Sequence, residues 1–148
     1  MNILVLHGPN LNLLGEREPE IYGRLTLKQL NERLRAHARG RKARLRIYQS
    51  NHEGELIDLI HKHRRWADGL VFNPGAYSHT SYALRDAVAA AGIPAVEVHL
   101  TEIGRREPFR RVSVIAPVCR ALISGKGLGS YLEGIDRLLT PGPHQRAR

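Results

Sequence analysis

Ile3-Leu4-Val5-Leu6-His7-Gly8-Pro9-Asn10-Leu11-Asn12 decides the fold class of this chain. Four apolar residues in a row, cut off by a polar turn carrying glycine and proline, read as a short strand buried in a sheet. Working outward, the same alternation of strand and helix recurs. Thr26 is placed to cap a helix whose apolar face is Leu27, Leu30, Leu34 and Ala38, with Gly40 to stop it. Leu45 to Tyr48 predicts a second strand, and Glu53 to Trp66 a helix with Leu56, Ile57, Ile60 and His63 on one side. Leu70 to Phe72 predicts a third strand, and Thr80 to Ala91 an alanine-rich helix ending at Gly92. Ala95 to His99 and Ala121 to Ile123 predict strands four and five, and Leu128 to Leu139 a last helix. Strands alternating with helices imply a parallel sheet covered on both faces. Five such units suit an α/β, flavodoxin-like, doubly wound five-stranded parallel sheet with helices on both faces.

The 148 residues suit one domain with one core, expected over residues 1–139. Residues 140–148, with Pro141, Gly142 and Pro143 followed by mostly polar or basic groups, read as a flexible basic tail. No stretch approaches the roughly 20 apolar residues of a membrane helix. Met1 to His7 has no basic region and an apolar run too short for a signal peptide, so a cytoplasmic protein with no membrane partner is expected. Cys119 is the only cysteine, cannot form an intrachain disulfide, and reads as packing.

The formal charge of +9 admits nucleic-acid binding. Much of it sits in Arg35–Arg46 and His61–Arg65, at helix ends or on outer helix faces, without interleaved stacking aromatics. A solvated basic surface that also attracts small anions is the better reading, and no nucleic-acid partner is expected.

In open parallel sheets ligands bind at the carboxyl ends of the strands. Those ends here carry Gly8-Pro9-Asn10-Leu11-Asn12, Gln49-Ser50-Asn51-His52-Glu53, Asn73-Pro74-Gly75-Ala76-Tyr77-Ser78-His79 and His99-Leu100-Thr101. Four edges rich in amides, histidines and hydroxyls point to a pocket for a polar small molecule. The first turn is not the Ser/Thr-rich loop of a flavin phosphate site, and neither a GxGxxG nor a P-loop is present. His61 and His63 stand two apart on a predicted helix and face different ways, so no metal site is expected. Of the four lysines only Lys126 follows a strand, which leaves little for imine chemistry. Amides, histidines, a tyrosine and arginines remain, a set suited to proton transfer on an anionic, hydroxylated substrate without a cofactor. Glu97 and His99 project from one face of a strand, where the carboxylate can orient the imidazole; an ordinary buried ion pair fits equally well. Tyr22 lies in a polar, glycine-bounded loop five residues after Arg17. Since a tyrosine ordinarily titrates near ~10, on position alone it reads as a surface residue packing a loop.

Val5-Leu6-His7-Gly8-Pro9-Asn10-Leu11-Asn12-Leu13-Leu14-Gly15, with Arg17-Glu18-Pro19 and Tyr22-Gly23, resembles the opening of a type II 3-dehydroquinate dehydratase. So do Gln49 to Glu55, Asn73 to Ser81, and Glu97-Val98-His99-Leu100 with Arg106-Glu107 and Phe109-Arg110. Four long motifs occur in the right order over nearly the whole chain. The resemblance implies a lyase of the shikimate route to chorismate and aromatic amino acids. It would reversibly dehydrate 3-dehydroquinate to 3-dehydroshikimate, in the trans sense and through an enolate. It implies no metal, no nucleotide and no imine, and a homododecamer built as four trimers.

Carried over residue by residue, the resemblance makes Tyr22 the base, with Arg17 stabilising its phenolate and the transition state. Asn10 would position a water on the enolate oxygen. His99 would be the general acid, oriented by Glu97. Asn73, His79 and Arg110 would bind substrate hydroxyls, and Leu100 and Thr101 the carboxylate. Asp86 would reach a neighbouring subunit's site, although in a monomer it reads as an exposed helix carboxylate. Two positions depart from the family pattern. Glu102 stands where asparagine is usual, and Gly104 where a larger residue is common. A carboxylate beside the carboxylate-binding loop should weaken substrate binding unless it points away or pairs with Arg105 or Arg106. A degenerate member acting as a binding or assembly protein is the alternative; it would be expected to have lost one of Asn10, Arg17, Tyr22 or His99, and all four are present.

Overall fold

The computed structural model describes residues 1–140. Five strands, β1 (Asn2–His7), β2 (Arg44–Gln49), β3 (Gly69–Asn73), β4 (Ala95–Val98) and β5 (Ala121–Ile123), form one sheet in the order β2-β1-β3-β4-β5. Every neighbouring pair is parallel. This is the flavodoxin-like order, whose direction reverses between β1 and β3. The central strands β1 and β3 are apolar on both faces because helices cover both. β2, at an edge, alternates exposed arginines with half-buried Leu45 and Ile47.

Helices α2 (Leu27–Gly40) and α5 (Leu128–Leu139) pack Leu30, Leu34, Tyr131, Ile135 and Leu138 against Ile3, Val5, Val71, Val96 and Val98. Helices α3 (Glu53–His63) and α4 (Tyr82–Ala91) pack Leu56, Ile60, Leu84 and Val88 against Leu4, Leu6, Leu70 and Phe72 on the other face. The period-two alternation of each strand therefore serves two separate cores. Gly134 lets α5 lie flat on the sheet: a Cβ there would come within 2.9 Å of Val98 Cγ1.

The helix ends follow their local chemistry. Thr26 and Gln29 form a reciprocal capping box on α2. Ser81, rather than Thr80, caps α4 through the Leu84 amide, and Gly92 ends it in the left-handed conformation. Gly40 does not stop α2; it is its last residue, and Lys42 takes the positive φ that reverses the chain. Helix α3 ends at His63 rather than Trp66, and His63 turns inward to stack on Tyr48, 4.9 Å between ring centroids. The segment around Tyr22, read as a loop, contains a four-residue helix α1 (Pro19–Tyr22). Among the described residues no helix is long and apolar enough to cross a membrane. The expected tail lies outside the described residues except for Thr140.

Candidate active site

A cleft opens at the carboxyl ends of β1, β3 and β4, beside the point where the strand order reverses. Its lining brings together Asn10, Arg17 and Tyr22 from the first motif and Asn73 and His79 from the third. His99, Leu100, Thr101 and Arg110 from the fourth complete it. Gly8 makes this convergence possible: a Cβ there would meet the Pro74 carbonyl at 2.6 Å, so only glycine lets the turns after β1 and β3 touch.

The floor is built on strand ends and held by buried hydrogen bonds. Glu97, fully buried, accepts from His99 Nε2 at 2.6 Å. Its second oxygen accepts from Ser113 Oγ at 2.7 Å, and that oxygen in turn accepts from the amides of Ile115 and Ala116. With Nε2 committed to the carboxylate, Nδ1 is the nitrogen His99 has left for the cleft. Cys119 lies behind Glu97; burial, and then the charge of Glu97, push its thiol up to about 12, so it stays a packing group. Asn73 fixes its amide by accepting from Gly75 N–H at 3.1 Å. His79 Nδ1 donates to the Val112 carbonyl at 2.8 Å.

Asn10 sits in the left-handed region, φ 69°, and its N–H donates to Asn51 Oδ1 at 3.0 Å. Gln49 Nε2 donates to both Asn51 Oδ1 and the Gly8 carbonyl, each at 3.1 Å. The end of β2 thus staples the turn after β1 into the conformation that aims Asn10.

The roof is different in kind. The Tyr22 hydroxyl accepts from Arg106 Nη1 at 3.1 Å, and Arg17 lies 5.0 Å from the Tyr22 ring centroid. Arg106 also donates to Thr101 Oγ1 at 3.3 Å. Its pKa is raised, chiefly by the hydrogen bond to Tyr22, against the opposing effect of burial. The exposed carboxylate of Glu107 stands 3.6 Å from Arg106 and 3.0 Å from Arg110, spacing the two guanidiniums along the cleft.

The Dehydroquinase class II family model matches residues 1–139. The chain belongs to the class II dehydroquinases. It is 56% identical over 132 residues to a 3-dehydroquinate dehydratase of Pelotomaculum thermopropionicum, covering 89% of this chain and 92% of the relative. It is 52% identical over 138 residues to that of Dictyoglomus turgidum, covering 93% and 95%. The crystal structure of a type II dehydroquinase from Butyrivibrio crossotus superposes with a TM-score of 0.93 at 45% identity, covering 95% of this chain and 98% of that one.

In this class II dehydroquinase two expected site residues stand apart from the cleft lining. Glu97 lies beneath His99 and acts only through it. Asp86 is exposed on α4 and does not line the cleft of its own chain. Sequence reasoning left Arg106 and Ser113 out of the site. Arg106 stood in the fourth motif beside Glu107, but among the four arginines between residues 105 and 111 no local signal says which meets Tyr22. Ser113 carried no signal at all, since its role depends on a turn that returns beneath β4. Glu102 points away from the cleft: Oε1 accepts from Gly104 N–H at 3.2 Å and from Ser124 Oγ at 3.1 Å. It caps the turn at Ile103–Arg105 and ties it to the end of β5, and it pairs with neither Arg105 nor Arg106.

Proposed function

We propose that this class II dehydroquinase removes water from 3-dehydroquinate to give 3-dehydroshikimate, a lyase step of the shikimate route, with Tyr22 as base and His99 as acid. The observation that carries the reading is the meeting in one cleft of the Tyr22 hydroxyl, with Arg17 and Arg106 beside it, and a carboxylate-bound His99. Two guanidiniums beside this phenol are placed to pair with the charge on the oxygen that takes the proton beside the ketone. The electron pair of that C–H bond moves into the enolate. Its oxygen is stabilised by a water held on Asn10, a neutral and rigidly placed group. Collapse of the enolate expels the β-hydroxyl, which takes the proton of His99 Nδ1 and leaves as water. The buried Glu97 carboxylate orients the imidazole for that transfer through Nε2. Trans geometry follows from a base on the roof and an acid on the floor.

Thr101 Oγ1 already accepts from Arg106, so its own O–H remains to donate to the substrate carboxylate beside the Leu100–Thr101 backbone. Asn73, His79 and Arg110 are assigned the ring hydroxyls. The lining holds Arg17, Arg106 and Arg110 and, among the described residues, no lysine, which fits an anionic substrate handled without an imine. No feature favours the degenerate binding or assembly role, since Asn10, Arg17, Tyr22 and His99 meet in the cleft.

The decisive experiment incubates the chain with 3-dehydroquinate, with and without chelator, and follows the ultraviolet absorbance of the conjugated enone. Turnover indifferent to chelator is expected. No turnover at any substrate concentration sinks the reading, and loss with chelator sinks its metal-free part.

A homododecamer of four trimers is part of the same proposal. Tyr82, Phe109 and Val112 are 64%, 62% and 66% exposed, more than large apolar groups usually are in a lone chain. Phe109 and Val112 both contact His79, so the patch adjoins the cleft. Asp86 stands one helical turn from Tyr82, which supports a role for it in a neighbour's cleft rather than its own. Sedimentation of the purified chain as a monomer would overturn the assembly. The expected compartment is the cytoplasm, where Cys119 stays reduced.

A further inference from the structure

Behind Asn73, on the α2/α5 face of the sheet, lies a chain of buried polar groups that the proposed chemistry does not use. His7 ends β1 in direct register with Asn73 at the end of β3. It has no exposed surface, an unusual fate for a histidine without a metal or a charged partner. Its Nε2 lies 2.8 Å from Asn31 Oδ1 on α2, and its Nδ1 lies 2.8 Å from the Tyr131 hydroxyl on α5. The Tyr131 hydroxyl, also fully buried, faces the side chain of Asn73, the residue in register with His7. One line of contacts therefore runs from the half-exposed Asn31 to the floor of the cleft.

The line has a direction. Asn31 Oδ1 can only accept, so His7 Nε2 carries the proton. Nδ1 of a neutral ring is then an acceptor, and the Tyr131 O–H must donate to it. The Tyr131 oxygen is left to accept from Asn73 Nδ2. That choice matches the other side of the amide, where Asn73 Oδ1 accepts from Gly75 N–H. Every donor points the same way, and the amide of Asn73 has only one orientation consistent with both ends. Burial holds the ring neutral: the His7 pKa is lowered to about 4, with the Asn31 contact only partly opposing this. A charged ring would have to donate from both nitrogens. The tyrosine hydroxyl would reverse and seek an acceptor in Asn73 Oδ1, and the amide would turn over, leaving its NH₂ against the Gly75 N–H.

We propose that Asn31, His7 and Tyr131 are positioning residues that set the polarity of the Asn73 amide, and so determine which donor and acceptor this dehydroquinase presents to a substrate hydroxyl. The proposal rests on the reading that Asn73 contacts the substrate. A relay of this kind does what a single hydrogen bond from Gly75 cannot do alone, because it makes the flipped amide clash at both ends.

Steady-state kinetics on the full chain, with 3-dehydroquinate as substrate, separate the two claims. Asn73→Ala is expected to lower kcat/KM about tenfold or more, the loss of one substrate hydrogen bond in a buried site. Tyr131→Phe keeps the ring and removes only the relay hydroxyl. It is expected to lower kcat/KM by about fivefold or more, a loss like that of one buried hydrogen bond. The double variant should be no worse than Asn73→Ala alone, because Tyr131 has nothing left to orient. If Asn73→Ala has no effect, the contact reading falls and the relay with it. If Asn73→Ala is impaired but the two losses multiply, the contact stands and the relay alone is overturned. Tyr131→Phe with unchanged kinetics and only a lower Tm also overturns it.

A second variant tests polarity and does not depend on Tyr131→Phe folding. The groups facing His7 are Asn31 from α2 and Tyr131 from α5, with Gln49 of β2 and Asn73 of β3 beside it in register; Tyr131 is the titratable one, and its own pKa is raised by burial. Asn31→Asp sets a carboxylate against Nε2 and favours the imidazolium. Its kcat/KM should gain an ionisation that neither the unaltered chain nor Asn31→Ala shows, falling about fivefold or more as pH drops through the raised His7 pKa. A profile identical to that of Asn31→Ala overturns the polarity claim.

Discussion

The floor and the roof of the cleft hold their groups by different physics. On the floor, His7, Asn73, Glu97 and His99 sit at strand ends, are buried, and have hydrogen-bond partners that fix orientation. On the roof, Arg17, Tyr22 and Arg106 sit on short turns and meet through cation–aromatic contacts and one hydrogen bond, with Glu18 and Glu107 as exposed counter-ions. Buried partners cost 1–3 kcal/mol or so to lose, whereas exposed ion pairs are commonly worth about 0–1 kcal/mol. The floor is thereby suited to holding groups rigidly, and the roof to bringing charge over a substrate and releasing it. The same contrast predicts what substitutions will do: roof changes should cost rate and spare stability, and floor changes should cost both.

The largest expected effect breaks the roof at the proposed base. We predict that Tyr22→Phe lowers kcat by about 10³-fold, within the usual range for loss of a general base. Because Tyr22 is only partly buried and its hydroxyl meets nothing but Arg106, Tm should change little. An undiminished rate in the enone assay would show that another group removes the proton.

Next comes a test of the floor by pH. His7 is depressed to about 4 in the folded chain, so between about 6.5 and 4 the unfolded chain binds the extra proton and the folded one does not. Stability from this group is therefore complete above about pH 6.5 and is lost as pH falls to about 4. A shift of this size corresponds to about 3 kcal/mol. Urea unfolding of His7→Gln should show a shallower pH slope than the unaltered chain across that window. Equal slopes would mean that carboxylates alone set the acid limb.

Ser113→Ala probes the same floor one shell out. It leaves one oxygen of the fully buried Glu97 without a donor, and it strips the Ile115 and Ala116 amides of their acceptor. A loss of about 1–3 kcal/mol in stability is expected. If Ser113 also steers the acid, kcat should fall severalfold, and the acid limb of its pH profile should move. A lower Tm with unaltered kcat and pH profile would confine Ser113 to stability.

The sequence was legible in proportion to how local each interaction is. The strand run at Ile3–Leu6, the Thr26 cap and the Gly92 stop are read from neighbours in the chain, and they hold in the structure. Asn10, Asn73 and His99 were accessible because a parallel sheet delivers its strand ends to one edge. Tyr22 and Arg17 were not accessible this way: the turn containing them gives no register, and only the family resemblance placed them. Arg106, Ser113 and Tyr131 meet their partners across 84, 16 and 124 residues, distances over which no spacing rule operates. His63 shows the same limit in reverse. It was correctly placed on the apolar face, but its stacking on Tyr48 is a contact between elements that no local pattern shows.

Glu102 supplies the smallest effect and the sharpest separation of the two regions. It lies between them, next to Thr101 in sequence, and by proximity alone a carboxylate there should repel an anionic substrate. The structure turns it outward, where it caps Gly104 and is held by Ser124. Neither partner lines the cleft. Charge pointing into water is screened over about 8–10 Å at ordinary ionic strength. Arg106 and Arg110, which do line the cleft, add opposite charge there. Glu102→Asn keeps a side-chain oxygen able to cap Gly104 and removes the charge. We therefore predict kcat and KM within about twofold of the unaltered chain, a change of less than ~0.5 kcal/mol, with Tm nearly constant because the cap survives. Glu102→Ala, which loses the cap, should cost about 1 kcal/mol in stability and loosen the turn that delivers Arg106 to Tyr22. If instead Glu102→Asn lowers KM tenfold, the carboxylate reaches the substrate despite its outward bonds. The turn at residues 101–106 would then belong to the mobile roof rather than to the fixed floor.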